Sequence, residues 1–223
     1  SPFVAGEAYF AATGYKSGNF APYLYKTKDY GKTWTKIVSG INEEHFTRVV
    51  RADPAKKGML YAGTETGMYY SKDDGGSWHS LQLNLPIVPI TDLTIKDNNL
   101  IAATQGRSFW IIDDLTVLHQ AEAGLENKPF HLYKPQDSYR IDGMKRVSLT
   151  NGSNRPGGVL VYYFLKEEPS GEVKIEFFND QNQLIRLFST KGVNGDTLKV
   201  KHGSGEFNWN LRTDNAEGFE GMI

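Results

Sequence analysis

Two aspartates of this chain sit in matching surroundings, and an aspartate can serve as a catalytic acid or a metal ligand. Thr27-Lys28-Asp29-Tyr30-Gly31-Lys32-Thr33-Trp34 recurs as Ser71-Lys72-Asp73-Asp74-Gly75-Gly76-Ser77-Trp78, with hydroxyl, Lys, Asp, Gly and Trp in register at an offset of 44 residues. One reaction centre would not need its carboxylate in every repeat. A mechanical role fits both copies: the Asp accepts hydrogen bonds from main-chain N–H groups just beyond it, closing an Asx-type turn. Gly31 and Gly75 supply the positive φ of a tight hairpin, and Trp34 and Trp78, returning on the next strand, fold their indoles over the turn. Other reactive types are sparse. The five histidines, His45, His79, His119, His131 and His202, show no metal-ligand spacing and read as solvated or core side chains. Gly-x-Ser-x-Gly, Gly-x-x-x-x-Gly-Lys-Ser/Thr and Gly-x-Gly-x-x-Gly are all missing. The chain has no cysteine, which removes disulfides, thiol nucleophiles and thiolate metal sites. No catalytic residue, metal ligand or cofactor is expected from these patterns.

Charge and composition narrow the partners. With 25 Lys+Arg against 26 Asp+Glu among 223 residues, the formal charge of -1 provides no basic field for nucleic acid. The longest apolar run, Val159 to Leu165, is seven residues; a membrane span needs about 20. Twenty-three glycines, 12 Phe, 12 Tyr and short apolar bursts between turn formers give the texture of an all-β protein. The chain opens at Ser1 without an initiator Met or a charged-then-apolar leader, and is expected to be a mature or excised piece.

The elements that must position the two aspartates repeat with them. Leu60 to Glu65 followed by Met68 to Tyr70 aligns with Leu100 to Gln105 followed by Ser108 to Trp110. In the first copy, Tyr9 to Thr13 and Pro22 to Lys26 take those places. Each unit has a first strand (Thr47 to Ala52, Thr91 to Lys96), then these two, then one beginning at the Trp. Four strands per roughly 40 to 50 residues is the period of a propeller blade. A third, degraded box lies 40 residues on, where Asp113 aligns with Asp73 and Leu118 with Trp78; there Ile111 replaces the hydroxyl and Leu115 the glycine. The fold expected is all-β: about three four-stranded propeller blades over residues 1–118, a linker at 119–135 and a β-sandwich over 136–223. Thr116 to Ala123 suits two helical turns, capped by Asp114 and stopped by Gly124, and Pro129 and Pro135 bracket an extended segment. Further strands are expected at Val159 to Leu165, Val173 to Phe178, Leu184 to Phe188 and Glu206 to Leu211, with a hairpin turn at Asn179 to Asn182 and loops at Gly152, Gly157 and Gly158. Asn151-Gly152-Ser153 fits a glycosylation sequon and marks an exposed loop. The pattern at Gly221-Met222-Ile223 would lead into another strand, so the sandwich reads as truncated.

On these residues the two boxes resemble the Asp-box, or BNR repeat, of sialidases, xyloglucanase-type glycosidases and sortilin-like receptors. Gly106 to Leu115 is similar to the last-blade signature of large secreted bacterial proteins of sortilin-like or glycosyl-hydrolase-like type. Lys174 to Phe178, Gln183 to Leu187 and Phe207 to Arg212 resemble the small Ig-like sandwich that follows such propellers, and also the flagellar-hook-capping type of sandwich. The resemblance implies a secreted or periplasmic protein, with Asp29, Gly31, Trp34, Asp73, Gly75, Trp78 and Asp113 as structural box positions on the face away from any ligand. Three blades leave a sheet face without a neighbour, so the remaining blades of a parent chain are the implied partner.

Turns of a four-strand blade alternate between its two ends. With the boxes joining strands three and four at one end, the turns joining strands two and three lie at the other, beside the connections from strand four to the next strand one. That end holds Tyr15, Asn19, Glu44, His45, Glu65, Gln105 and Arg107, the candidate binding face. Arg107, a cation beside Phe109 and Trp110, suits a carboxylate or a stacked sugar, or else simply covers the blade edge and saves a carbonyl. Two functions follow. A glycoside hydrolase would need a carboxylate pair about 5 to 5.5 Å apart for retention or about 6.5 to 9.5 Å for inversion. The sialidase pattern Phe/Tyr-Arg-Ile-Pro is not met, because Tyr139-Arg140-Ile141-Asp142 fails at its last position. A sortilin-like binding module, capturing a glycan or peptide without chemistry, is the favoured expectation.

Overall fold

The computed structural model describes residues 1–122, 124–139, 155–192 and 197–213. The Asn151 sequon, the Gly152 loop, Arg140 to Asp142 and the terminal Gly221 to Ile223 lie outside them. The chain divides into two compact units, Ser1–Leu115 and Thr116–Ile223, and is nearly all β.

The first unit holds three antiparallel sheets in chain order. The first is β1 (Ala8–Gly14), β2 (Asn19–Thr27) and β3 (Thr35–Lys36). The second is β4 (Thr47–Ala52), β5 (Leu60–Thr64), β6 (Met68–Ser71) and β7 (His79–Ser80). The third is β8 (Ile90–Lys96), β9 (Asn99–Thr104) and β10 (Phe109–Ile112). Each is a meander of the repeat, and the sheets stack in sequence as partial propeller blades. Only the second has all four strands. The first begins at the repeat's second strand. The third ends after its third strand, and Thr116–Gln120 winds into a short helix, α1, at the start of the segment expected to make helical turns, so the degraded box begins no fourth strand.

Both boxes close in the same way. Thr27 Oγ1 donates to Asp29 Oδ1 at 2.8 Å and accepts from Gly31 N at 3.0 Å; Ser71 Oγ does the same with Asp73 at 2.7 Å and Gly75 N at 2.9 Å. Downstream, Thr33 and Ser77 each bind their aspartate twice, by main-chain N–H at 2.9 and 2.8 Å and by hydroxyl at 2.6 and 2.7 Å. The pairs Tyr30–Gly31 and Asp74–Gly75 are left-handed, with φ of 61° and 84°, and 63° and 87°. Asp113 opens no such turn. Its neighbourhood has no positive φ, and Leu115, standing where the glycine would be, is fully buried and donates its N–H to the Asn98 carbonyl at 3.0 Å. Asp114 accepts from Asn98 Nδ2 at 3.2 Å.

The tryptophans depart from expectation. Trp34 does fold over its own turn, donating to the Gly31 carbonyl at 3.1 Å, and stays 42 % exposed. Trp78 is 3 % exposed and donates instead to the Ile37 carbonyl of the preceding unit at 2.8 Å. It belongs to an apolar cluster with Leu24, Ile37, Ile41, Leu60 and Tyr69 that joins the first sheet to the second. Polar groups reinforce this joint. Thr47 Oγ1 donates towards the carbonyls of Tyr23 and Ala12, at 2.9 and 3.2 Å, and accepts from Tyr23 N at 3.0 Å. The buried Lys26 ammonium pairs with Glu7 at 3.2 Å and with Asp74, and the Tyr9 hydroxyl bridges the same two carboxylates.

The second unit carries two sheets. In one, β12 (Val159–Leu165) lies between β11 (Phe130–Leu132) and β15 (Gly203–Trp209); the other pairs β13 (Lys174–Phe178) with β14 (Leu184–Ser189). Aromatic rings pack the sheets face to face, Phe177 on Trp209 at 4.4 Å and Phe188 on Phe207 at 4.6 Å. The hairpin at Asn179–Asn182 is held by Asn179 Oδ1, which accepts from the N–H groups of Gln181 and Gln183. Residues 119–135, expected as a linker, contribute to this unit: β11 is an outer strand of its sheet, and Gln120 exchanges two hydrogen bonds with the Lys134 main chain.

Burial separates the two tryptophans energetically. Trp78→Ala is expected to cost about 3 to 5 kcal/mol, Asp73→Ala about 1 to 2 kcal/mol through lost turn hydrogen bonds, and Trp34→Ala far less than Trp78→Ala, all read by denaturant melts; equal losses at both tryptophans would refute the joint. The Thr33 hydroxyl and N–H, with Thr27, hold Asp29 down to a pKa of about 2. At Asp73 burial pushes upward, but the hydrogen bonds from Ser77 and Ser71 prevail and the pKa is lowered. A depressed carboxylate stabilises the fold above its unfolded pKa, about 3.9, and that contribution is lost as pH falls through the folded value. Acid unfolding should therefore set in below about pH 4, and Asp29→Asn should make the loss shallower in a pH-titrated melt.

Candidate functional site

The box end of the first unit is closed by main-chain bonds: Tyr30 N to the Gly6 carbonyl, Asp74 N to the Gly58 carbonyl and Leu115 N to the Asn98 carbonyl. The Asp53 carboxylate, fully buried, staples the β4–β5 turn at this end by accepting from Ala55 N, Lys56 N and the Tyr61 hydroxyl. Each box carboxylate oxygen accepts at least one hydrogen bond from its own turn.

The opposite end brings together side chains from the first and second sheets. Tyr15, in the short 3-10 turn between β1 and β2, stacks on Phe46 with centroids 5.0 Å apart and planes 14° from parallel. Phe20, 53 % exposed, tilts against the same ring at 6.1 Å. The Arg48 guanidinium lies 5.2 Å from the Phe46 centroid and 5.7 Å from that of Tyr15. It is fixed there by Glu65: Nε donates to Oε2 at 2.6 Å and Nη2 to the same oxygen at 2.5 Å. Glu65 is in turn anchored by its main-chain N–H on the Phe46 carbonyl at 3.1 Å.

A β-bulge explains how Arg48 reaches this position. Thr47 pairs with Thr64 and Val49 with Gly63, leaving Arg48 as the extra residue of β4. An unpaired bulge residue turns its side chain out of the alternation, and bulges recur beside binding sites for that reason. Thr47 and Val49 stay buried on either side. The result is an aromatic ledge topped by an ion pair of zero net charge. The pair leaves Arg48 Nη1 as a donor and Glu65 Oε1 as an acceptor.

Of the expected face residues, the structure unites Tyr15 and Glu65. Asn19 opens β2 at the end of the β1–β2 connection and spends its side chain on the Tyr23 hydroxyl and Ala21 N. Glu44 is exposed in the β3–β4 connection, whose turn is held by Asn42; His45 is turned inward, its Nδ1 2.9 Å from the Tyr69 hydroxyl. Gln105 and Arg107 sit on the separate β9–β10 turn. There Arg107 does not lie over Phe109 or Trp110: its Nη1 returns to the Gly106 carbonyl at 3.1 Å and its own carbonyl accepts from the Trp110 indole at 2.9 Å. Phe20, Phe46 and Arg48 were not foreseen. Phe46 and Arg48 flank Thr47 at the head of a strand, a spacing of two that a period-two reading assigns to one side, but the bulge itself leaves no mark in the sequence.

Elsewhere in this unit a small apolar crevice lies between the second and third sheets, lined by Met68, Leu85, Leu100, Ala102 and Trp110, with Gln82 and Asn84 as its polar members. Among the described residues no three His, Asp or Glu side chains are grouped to hold a metal ion, and no helix is long and apolar enough to cross a membrane.

No protein-family model matches the chain, and no curated protein does. Among solved structures it is similar to an ancestral GH74 enzyme, at 21% identity and a TM-score of 0.39 over 48% of this chain and 13% of that one. It is similar to YCF48 bound to D1 peptide, at 23% identity and a TM-score of 0.32 over 41% of this chain and 31% of that one. A GH74 xyloglucanase from Xanthomonas campestris overlaps 71% of this chain and 25% of that one, at 13% identity and a TM-score of 0.38. The chain spans less than a third of the length of each of these proteins. These overlaps concern the β-propeller fold; the assignment of blades to this chain rests on its own strand order and its two boxes.

Proposed function

We propose that this chain is part of an extracytoplasmic Asp-box propeller protein, followed by an Ig-like sandwich, whose first unit binds a neutral glycan without chemical turnover. The observation that carries the reading is the Arg48–Glu65 pair laid over the Tyr15–Phe46 stack. Aromatic faces receive the C–H faces of sugar rings, while a neutralised pair presents both a donor and an acceptor to hydroxyls. A carboxylate ligand would meet the Glu65 charge beside the guanidinium, which disfavours acidic peptides and uronic acids. Binding is preferred to hydrolysis because Glu65, the carboxylate of this cluster, is committed to Arg48, and a glycosidase needs two carboxyl groups across the scissile bond.

The test is calorimetric titration of the chain with neutral β-glucan oligosaccharides, carboxylated oligosaccharides and a peptide library. Neutral oligosaccharides should bind. Removing one charged hydrogen-bond partner, as in Arg48→Ala, should weaken them about tenfold or more, as should Tyr15→Ala. Asp73→Asn should lower the melting temperature while leaving affinity per folded molecule intact, and Arg107→Ala should change neither appreciably. Preference for acidic ligands or peptides, or loss of binding in a folded Asp73→Asn protein, would overturn the reading.

A further inference from the structure

The joint between the first and second sheets buries charged groups that neither the box turns nor the aromatic ledge require. Lys26, on β2 opposite Tyr9 of β1, carries its ammonium into this joint, and its side chain is 7 % exposed. Glu7, two residues before Tyr9 and 9 % exposed, pairs with it at 3.2 Å. Asp74 comes from the box turn of the second sheet and stands in direct contact with Lys26, Oδ2 against Nζ. The box itself does not need this residue: Tyr30 takes the place in the first copy, and the turn is closed by Ser71, Asp73, Gly75 and Ser77. Asp74 nonetheless holds a left-handed φ of 63°, with its N–H on the Gly58 carbonyl at 2.8 Å, so the backbone sets its carboxyl group at the joint.

The hydrogens at Tyr9 constrain the state of these groups. Its hydroxyl oxygen lies 2.8 Å from Glu7 Oε1 and 2.5 Å from Asp74 Oδ1, and a phenol has one hydrogen to give. With both carboxyl groups ionised, one of the two contacts would bring lone pairs together with no hydrogen between them. A proton on Asp74 Oδ1 fills both, and the nearest source is the Lys26 ammonium. That transfer turns the ion pair into an amine held against a carboxylic acid. Burial lowers the Lys26 pKa and favours the same transfer. Burial and Glu7 together push the Tyr9 phenol up, so it keeps its hydrogen.

We propose that Lys26 and Asp74 condense into an intramolecular amide bond that ties β2 of the first sheet to the box turn of the second. Glu7 and Tyr9 form a continuous proton path from Lys26 Nζ to Asp74 Oδ1. One proton leaves Nζ along this path and protonates Oδ1. The freed nitrogen lone pair then attacks Asp74 Cγ and forms the N–C bond. A second proton follows from nitrogen through Glu7 and Tyr9 to Oδ1, the Cγ–Oδ1 bond breaks, and one water departs. An ammonium and a carboxylate become an amide and water, Glu7 and Tyr9 end as they began, and no other reactant is consumed. The Asp74 side chain is 30 % exposed, which gives the water a way out. In a chain without cysteine, such a bond restrains the unfolded state as a disulfide does.

Intact-mass spectrometry of the denatured whole chain, after incubation of the folded protein at neutral pH, tests this. The wild-type chain should become lighter by one water, and a tryptic digest should yield a branched peptide joining residues 17–28 to 73–96, uncut after Lys26. Lys26→Arg, which keeps the cation, and Asp74→Ala should both retain their full mass. Glu7→Gln leaves both reacting groups in place and should close about a hundredfold more slowly. Near-ultraviolet circular dichroism establishes folding, and Tyr9→Phe, which interrupts the same path, replaces Glu7→Gln if that variant is not folded. The proposal is overturned by a wild-type chain that keeps its full mass, by water loss that persists in Lys26→Arg or Asp74→Ala, or by a link that maps to Glu7. Water loss confined to the 73–96 peptide, the mark of a succinimide at Asp74-Gly75, or a folded Glu7→Gln chain closing at the wild-type rate, would overturn it equally.

Discussion

The first unit depends on one buried hydrogen bond, from the Trp78 indole N–H to the Ile37 carbonyl. A meander of three or four short strands buries little surface by itself, and each sheet here needs a neighbour to shield one face. Trp78 delivers the largest apolar side chain of its repeat into that gap and at the same time satisfies a carbonyl that packing would otherwise strand. The Asp73 box fixes the turn from which Trp78 departs. The carboxylate therefore acts on sheet stacking through another residue, and the Lys26–Asp74 pair, one residue along the same turn, seals the joint on its polar side. Burial lowers the Lys26 pKa while Glu7 raises it, and the net direction is down because the lost hydration outweighs the pairing.

The two boxes have nearly identical hydrogen bonds yet unequal tryptophans. A local turn is specified by local chemistry, so hydroxyl, Asp and Gly spacing was enough to locate Asp29 and Asp73 at equivalent hairpins. The direction of an indole is decided by what lies beyond the turn. Trp78 finds the Ile37 carbonyl and an apolar cluster; Trp34 has its own Gly31 carbonyl and the Phe10 ring. Nothing in the eight-residue motif distinguishes those environments. The same limit explains the third repeat. Leu115 is visible as a departure from glycine and the helical turns after it are legible from their caps, but the burial of Leu115 depends on contacts outside the repeat.

At the opposite end, legibility followed the same division. The alternation of turns placed Tyr15 and Glu65 at one end of the sheets, and both lie in the aromatic and charged cluster. Arg48 was missed because a bulge depends on the register between two strands, and neither strand alone encodes it. Arg107 was singled out for its neighbours in sequence, Phe109 and Trp110. In a β-turn, however, successive side chains diverge, and its guanidinium closes on the carbonyl of Gly106 instead. The second unit was easier, since β12 is an unbroken apolar run and Asn179 to Asn182 carries its own Asx turn.

The division of labour between the two ends has a physical basis. At the box end, turn closure and sheet joining engage the charged groups that are held closest: Asp29, Asp53 and Asp73 accept from their own loops, and Glu7, Lys26 and Asp74 satisfy one another. The far end borrows its rigidity from the strands, so its connections are free to carry Tyr15, Phe20, Arg48 and Glu65 without having to close the fold. Arg48 and Glu65 hold each other in a fixed geometry, and Phe46 beneath them is buried, so a ligand would meet a surface already ordered. The entropic cost of arranging those side chains has been met by folding, which is the condition under which a shallow, partly exposed ledge can still bind.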